Sequence, residues 1–173
     1  MDIVERMTEG NRYYREHGND ALRRETAENG QHPYAVVICC SDSRVIPEEI
    51  FHAGVGELFV IRVAGNVLDR HQLGSIEYAA AHLGVKRIVL LGHTGCGAIE
   101  AALAGHADGY IADLTAEIRR AIGGERDPLL AAKRNVLRGA ERIRRDFAEH
   151  PEMRGIEVSG AIYDIATGAV EWL

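Results

Sequence analysis

The sequence predicts an α/β fold: a mainly parallel central β-sheet flanked by helices, with an N-terminal helical arm. Three observations carry this. Short runs rich in β-branched residues at 34–39, 58–61 and 87–91 alternate with stretches of helical periodicity, which requires crossover connections. The first run is apolar throughout, as in a strand buried on both faces of a parallel sheet. The tail holds two further runs, 156–163 and 169–173, around Ala166, Thr167 and Gly168, which read as two strands joined by a glycine-containing turn.

The helices follow in order. Ile3, Val4, Met7, Asn11 and Tyr14 stand at helical spacing before Gly18, so residues 2–17 form an amphipathic helix whose apolar stripe needs a partner. Pro47 with Glu48 and Glu49 behind it marks a helix start, because proline suits the first helical position and acids complement the positive end of the helix dipole. The stretch 73–83 is a helix closed by Gly84, another opens at Cys96 and runs to Leu103, and two more occupy 110–122 and 128–148. No linker or repeat interrupts the chain, so residues 1–173 are expected to form a single domain.

Composition narrows the function. At 46% apolar residues the chain can fill one core, and its formal net charge of −6 offers no broad attractive field to nucleic acid. The arginines at 119–120 and 142–145 are interleaved with acids and read as solvated helix faces. Neither a signal peptide nor an apolar run near ~18 residues is present, so the expectation is a soluble, cytoplasmic protein with no membrane partner. Three cysteines without a secretory signal suggest reduced thiols available for metal or catalysis. His17, His32, His71, His106 and His150 lie among polar residues and read as surface imidazoles.

The chemistry gathers in two clusters. Cys40, Ser41, Asp42, Ser43 and Arg44 follow the first strand, and residues 92–97, Gly-His-Thr-Gly-Cys-Gly, follow the third. Open α/β sheets place ligand sites at these carboxyl ends of strands. Two thiolates and one imidazole, from Cys40, Cys96 and His93, leave one tetrahedral position of a zinc ion free, as in a catalytic site; a structural site needs a fourth protein ligand. The glycines permit a tight strand-to-helix turn, and Cys96 at a helix N-terminus is expected to have a lowered thiol pKa. One H-x-x-C alone is equally well read as two small buried cysteines and a loop histidine, and the second cluster tips the balance towards metal. Cys39 points to the opposite side of the strand and reads as core. Arg44 stands two residues from Asp42, where it can keep the carboxylate ionised and oriented. Taken by itself, Asp-x-Arg also reads as a polar turn.

Together these residues resemble the β-carbonic anhydrases, whose signatures are C-x-D-x-R and H-x-x-C. Residues 56–62, 64–66 and 74–79 are similar to that family's core in order and spacing, so the likeness covers about residues 34–104. The resemblance implies reversible hydration of CO2 to bicarbonate and a proton by a zinc-bound hydroxide, with Zn2+ on Cys40, His93 and Cys96, Asp42 accepting a hydrogen bond from the zinc water and Arg44 holding Asp42. It further implies that Phe59 and Tyr78 line an apolar pocket, that the Gly97 N–H faces the substrate, and that active sites form at the interface of a homodimer or homotetramer.

Two positions depart from family patterns. Val37 stands where the allosteric bacterial branch has a tryptophan, so an open site without bicarbonate regulation is expected, with Asp42 staying on Arg44. Ala53 and Gly54 stand where many open-site members have a glutamine that bonds the substrate oxygen, so weaker CO2 hydration is expected. The rival reading is a carbonyl sulfide or carbon disulfide hydrolase on the same zinc site. A rival of another class is a non-catalytic zinc- or anion-binding protein. A cysteine phosphatase fails, because neither Cys39 nor Cys40 has C-x5-R spacing to Arg44, and the glycines at 92, 95 and 97 are not the G-x-G-x-x-G of a dinucleotide site.

Overall fold

Five strands form one sheet in the order β2-β1-β3-β4-β5 in the computed structural model, which describes residues 1–173 apart from the side chain of Glu152. They are β1 (Ala35–Cys39), β2 (Leu58–Arg62), β3 (Arg87–His93), β4 (Glu157–Tyr163) and β5 (Val170–Trp172). The first four run parallel, and β5 returns antiparallel beside β4. The expected tail hairpin is present. Its turn is fixed by Asp164, whose Oδ1 accepts the Ala166 and Thr167 N–H groups at 2.9 Å each, and by Gly168 at φ 76.

Each crossover carries helices, as parallel pairing requires. These are α3 (Pro47–Ile50), α4 (Arg70–Leu83), α5 (Gly97–Leu103), α6 (Ile111–Ile122) and α7 (Pro128–Asp146). Helix α4 starts earlier than its apolar pattern indicates because Asp69 and Gln72 form a capping box, with Asp69 Oδ1 accepting from His71 N at 2.7 Å and Gln72 Oε1 from Asp69 N at 2.8 Å. It ends as expected at Gly84, left-handed at φ 70.

The core lies on both faces of the sheet, sorted by the two-residue period of β1. Val36 and Ile38 meet Ile76, Ile99, Ile118, Val136 and Ile143 from the helices, and Cys40 and Cys96 belong to this same cluster. Val37 and Cys39 face the other way, towards Val45, Val89, Leu91 and Phe51. Cys39 is therefore core, as expected, and burial pushes its thiol up to about 12. Helix α7 approaches the sheet closely over two glycines: a Cβ on Gly92 or on Gly160 would lie 2.7 Å from a methyl of Val136.

The chain opens with α1 (Ile3–His17), closed at its start by a capping box of Asp2 and Glu5, and then a helix the sequence reading passed over, α2 (Asp20–Asn29). The second lacks a continuous apolar face; it is held by Asn19 Oδ1 accepting from Leu22 N at 3.0 Å and by Arg23 reaching back to the Tyr14 carbonyl at 3.0 Å. Neither helix buries a residue, and Ile3, Val4, Met7, Tyr13 and Tyr14 stand exposed along α1.

Candidate metal centre

Parallel pairing sets Cys39 opposite Leu91, so the segments leaving β1 and β3 emerge at the same edge of the sheet. Cys40 leaves β1 there. Its sulfur accepts the backbone N–H of Asp42 at 3.4 Å and of Gly65 at 3.3 Å. Gly65 is left-handed at φ 67, and a Cβ there would lie 2.7 Å from Ile118 Cδ1, so the turn that aims its N–H at the sulfur is open to glycine alone.

His93 is the last residue of β3 and is 1% exposed. Its Nδ1 lies 2.9 Å from the Thr94 carbonyl, which can only accept, so Nδ1 carries the proton and Nε2 presents a lone pair. That buried Nε2 has no hydrogen-bond partner. Cys96, at the N-cap of α5, completes the group: the two sulfurs and a ring nitrogen of His93 all lie within 4.8 Å of one another. A buried, unpartnered imidazole nitrogen beside two thiols is the donor set that zinc takes with three protein ligands, and the Thr94 carbonyl supplies the outer hydrogen bond that fixes the imidazole tautomer.

The thiols differ from the expectation for Cys96. Hydrogen bonding with Cys96 brings the Cys40 thiol down to about 4 against the opposing effect of burial. The same contact, with burial, pushes Cys96 upward. The N–H groups of Ala98 and Ile99 do favour a Cys96 thiolate, but they are outweighed by the hydrogen bonding with Cys40 and by burial. Burial lowers the His93 pKa, yet its contacts with Cys40 and the Thr94 carbonyl exceed that effect and the net shift is upward.

Asp42 is gripped by Arg44: Nε and the backbone N–H reach Oδ1 at 2.9 and 3.0 Å, and Nη2 reaches Oδ2 at 2.7 Å. This pairing holds the Asp42 carboxyl well below the usual carboxylate range despite the raising effect of burial. Arg44 is tied in turn to the second cluster through the Gly95 carbonyl at 3.3 Å, and Arg62 at the end of β2 donates to the Asp42 carbonyl at 2.8 Å.

The remaining candidates lie further out. Phe59 on β2 is half-buried against the core cluster that contains Cys40 and Cys96. Tyr78 on α4 is 49% exposed and stacks obliquely on Phe59 with ring centroids 6.2 Å apart. Gly97 opens α5 and is exposed. Sequence reasoning missed three supports of the centre: Thr94 behind His93, Gly65 behind Cys40, and Asn135, whose Nδ2 donates to the Gly65 carbonyl at 2.9 Å. The Ala64-Gly65-Asn66 step was visible as a family resemblance, but its bond to a sulfur depends on backbone geometry that residue types do not carry.

Fold and site together define an α/β protein with a buried Cys-His-Cys cluster that could hold a metal at the carboxyl ends of parallel strands. A family model described as carbonic anhydrase matches residues 35–170. Carbonic anhydrase 2 of Mycobacterium tuberculosis is 48% identical over 106 residues, covering 58% of this chain and 51% of that protein. A carbonic anhydrase of Pseudomonas aeruginosa is 36% identical over 165 residues, covering 83% and 74% of the two chains. Among solved structures, a tetrameric β-carbonic anhydrase of Sordaria macrospora superimposes with a TM-score of 0.79 at 32% identity, covering 98% of this chain and 95% of that one. The chain belongs to the β-carbonic anhydrase family. It spans about half the length of the first curated relatives it matches.

Proposed function

We propose that this chain catalyses the zinc-dependent, reversible hydration of CO2 to bicarbonate and a proton. The observation that carries the reading is the unpartnered Nε2 of buried His93 facing two thiols, with an ionised Asp42 clamped close by. Cys40, His93 and Cys96 would hold the zinc, which when bound makes a water nucleophilic at neutral pH. The N–H groups of Gly65 and Asp42, both directed at the Cys40 sulfur, would stabilise its charge as a thiolate ligand. Asp42 Oδ1 is occupied by two bonds from Arg44, whereas Oδ2 accepts one and retains a lone pair; ionised, it can only accept, so it orients a water by accepting a hydrogen bond from it. Phe59 and Tyr78 are read as the apolar wall of the substrate pocket, and Gly97 as a backbone donor to the substrate. Stopped-flow hydration of CO2 by zinc-loaded protein tests the reading; zinc-bound protein without hydration would leave a binding protein instead.

A second reading, hydrolysis of carbonyl sulfide or carbon disulfide, is supported by residues 53–54. Neither Ala53 nor Gly54 has a side-chain donor, and their main-chain donors are taken: Ala53 N–H by the Glu48 carbonyl at 2.8 Å and Gly54 N–H by Glu57 Oε2 at 2.6 Å. A growing negative charge on the substrate oxygen finds no partner from this segment. Loss of one such donor costs about a hundredfold in rate. Ala53→Gln is expected to raise the CO2 rate relative to that for carbonyl sulfide. Gly54→Gln is the poorer test, since its Cβ would lie 2.9 Å from Leu22 Cδ2. Natural CO2 hydration already near the diffusional ceiling would sink the idea.

The chain is further read as a cytoplasmic homodimer or homotetramer. Three unbridged, buried cysteines suit a reducing compartment, and no described helix is long and apolar enough to cross a membrane. The exposed apolar stripe of α1 and the tetrameric state named for the Sordaria relative support assembly. Sedimentation is expected to find no stable 19.0 kDa monomer, and a monodisperse active monomer would refute the assembly.

A further inference from the structure

A second polar site lies away from the metal ligands, in a cleft of about 480 Å³ between the turn after β2 and helices α6 and α7. Arg120, Arg138, Arg142 and Arg145 line it against two carboxylates, Glu117 and Asp146, an excess of two positive charges in a chain whose formal net charge is −6. As expected for solvated faces, Arg120 and Arg145 are 70% and 72% exposed. Arg142 is different: its side chain is 31% exposed and anchored, with Nη1 donating to the Leu68 carbonyl at 2.8 Å.

Two asparagines set this cleft apart from an ordinary charged helix face. Both line it, and both are more than nine-tenths buried, Asn135 at 6% and Asn66 at 4% exposure. Asn135 spends its Nδ2 on the Gly65 carbonyl, but the Nδ2 of Asn66 has no hydrogen-bond partner. Buried amide donors are rarely left unsatisfied. The χ2 torsion of an asparagine is soft, so a small turn of the amide presents this donor to a ligand in the cleft.

We propose that the cleft binds a phosphate-bearing small molecule. A phosphate anion matches the guanidinium excess that remains with Arg138 also paired to Glu141 at 2.9 Å, and its oxygens suit the fork geometry of guanidinium groups, with Asn66 as a neutral donor in the lining. The cleft's volume exceeds what phosphate alone fills, leaving room for the rest of such a ligand. Nothing here rests on the hydration reading, since none of the three metal-centre residues lines the cleft.

Titration calorimetry of the zinc-loaded full chain with inorganic phosphate and with pyrophosphate, at low and fixed ionic strength, tests the proposal. Saturable binding is expected, tighter for pyrophosphate, and weakened at least tenfold in the Arg138→Gln/Arg145→Gln double variant, whose CO2 hydration in the absence of phosphate stays unchanged. Asn66→Asp, which keeps the side chain's shape but replaces the donor by an acceptor, is expected to weaken binding as well. The proposal is overturned if the wild-type chain shows no saturable binding, or if the double variant binds both anions as the wild type does, which is the result that phosphate on the zinc would give.

Discussion

Cys40→Ser and Cys96→Ser are each expected to lose zinc and CO2 hydration together. A serine hydroxyl does not ionise near neutral pH, so either change removes one of the anionic donors of the group within 4.8 Å. The effect on zinc affinity should exceed the roughly 10–100-fold loss typical when only an outer hydrogen-bond partner of a ligand is removed. Hydration should fall to the uncatalysed rate. Cys39→Ala is the control: this residue faces the opposite core cluster, so its loss costs packing but leaves the metal in place. Elemental analysis beside stopped-flow assays reads both quantities, and a Cys40 or Cys96 variant that retained metal and turnover would sink the assignment.

Asp42→Ala should separate the two quantities, keeping zinc and losing about 10²-fold in turnover, the cost of a misplaced reacting group. Arg44→Gln should damage turnover similarly at neutral pH, for a different reason. Arg44 holds the Asp42 pKa well below the usual range, so removing it lets that pKa rise towards ~3.9, still leaving the carboxylate charged at pH 7. The neutral-pH loss then comes from orientation. In acid the sign follows from the shift: the wild-type carboxylate persists to lower pH than an ordinary aspartate, and in Arg44→Gln it is protonated earlier, which an NMR titration of the Asp42 carboxyl reads directly. Full activity of both variants would reduce the pair to a turn. Strong bicarbonate inhibition with Asp42 drawn onto the zinc would contradict the open site read from Val37.

Much of this was legible because the relevant physics is local. Alternation of β-branched runs with helical periodicity gave the sheet and its crossovers, and the two-residue period of β1 separated Cys40 from Cys39. Helix α2 escaped because its order comes from an Asn19 cap and a contact to the Tyr14 carbonyl, and no periodic apolar face announces it. The upward shift of Cys96 escaped for a different reason. A helix N-terminus is visible in residue order, but the nearness of a sulfur from another strand end depends on how closely the fold brings the two together. The Gly65 N–H on Cys40 is of the same kind.

The seat of α7 has a mechanical consequence for the centre. Val136 fits over Gly92 and Gly160 on neighbouring strands with no room for a methyl group on either, and the residue after Gly92 is His93. The alignment of an imidazole that must meet two sulfurs is thus referenced to a helix–sheet spacing, much as a bearing takes its tolerance from a shim. Residue 92 has no chemistry of its own to offer. A single added methyl there, by lifting the helix or bending the strand, would nonetheless be felt first as play between the imidazole and the two sulfurs, before any loss of the fold as a whole.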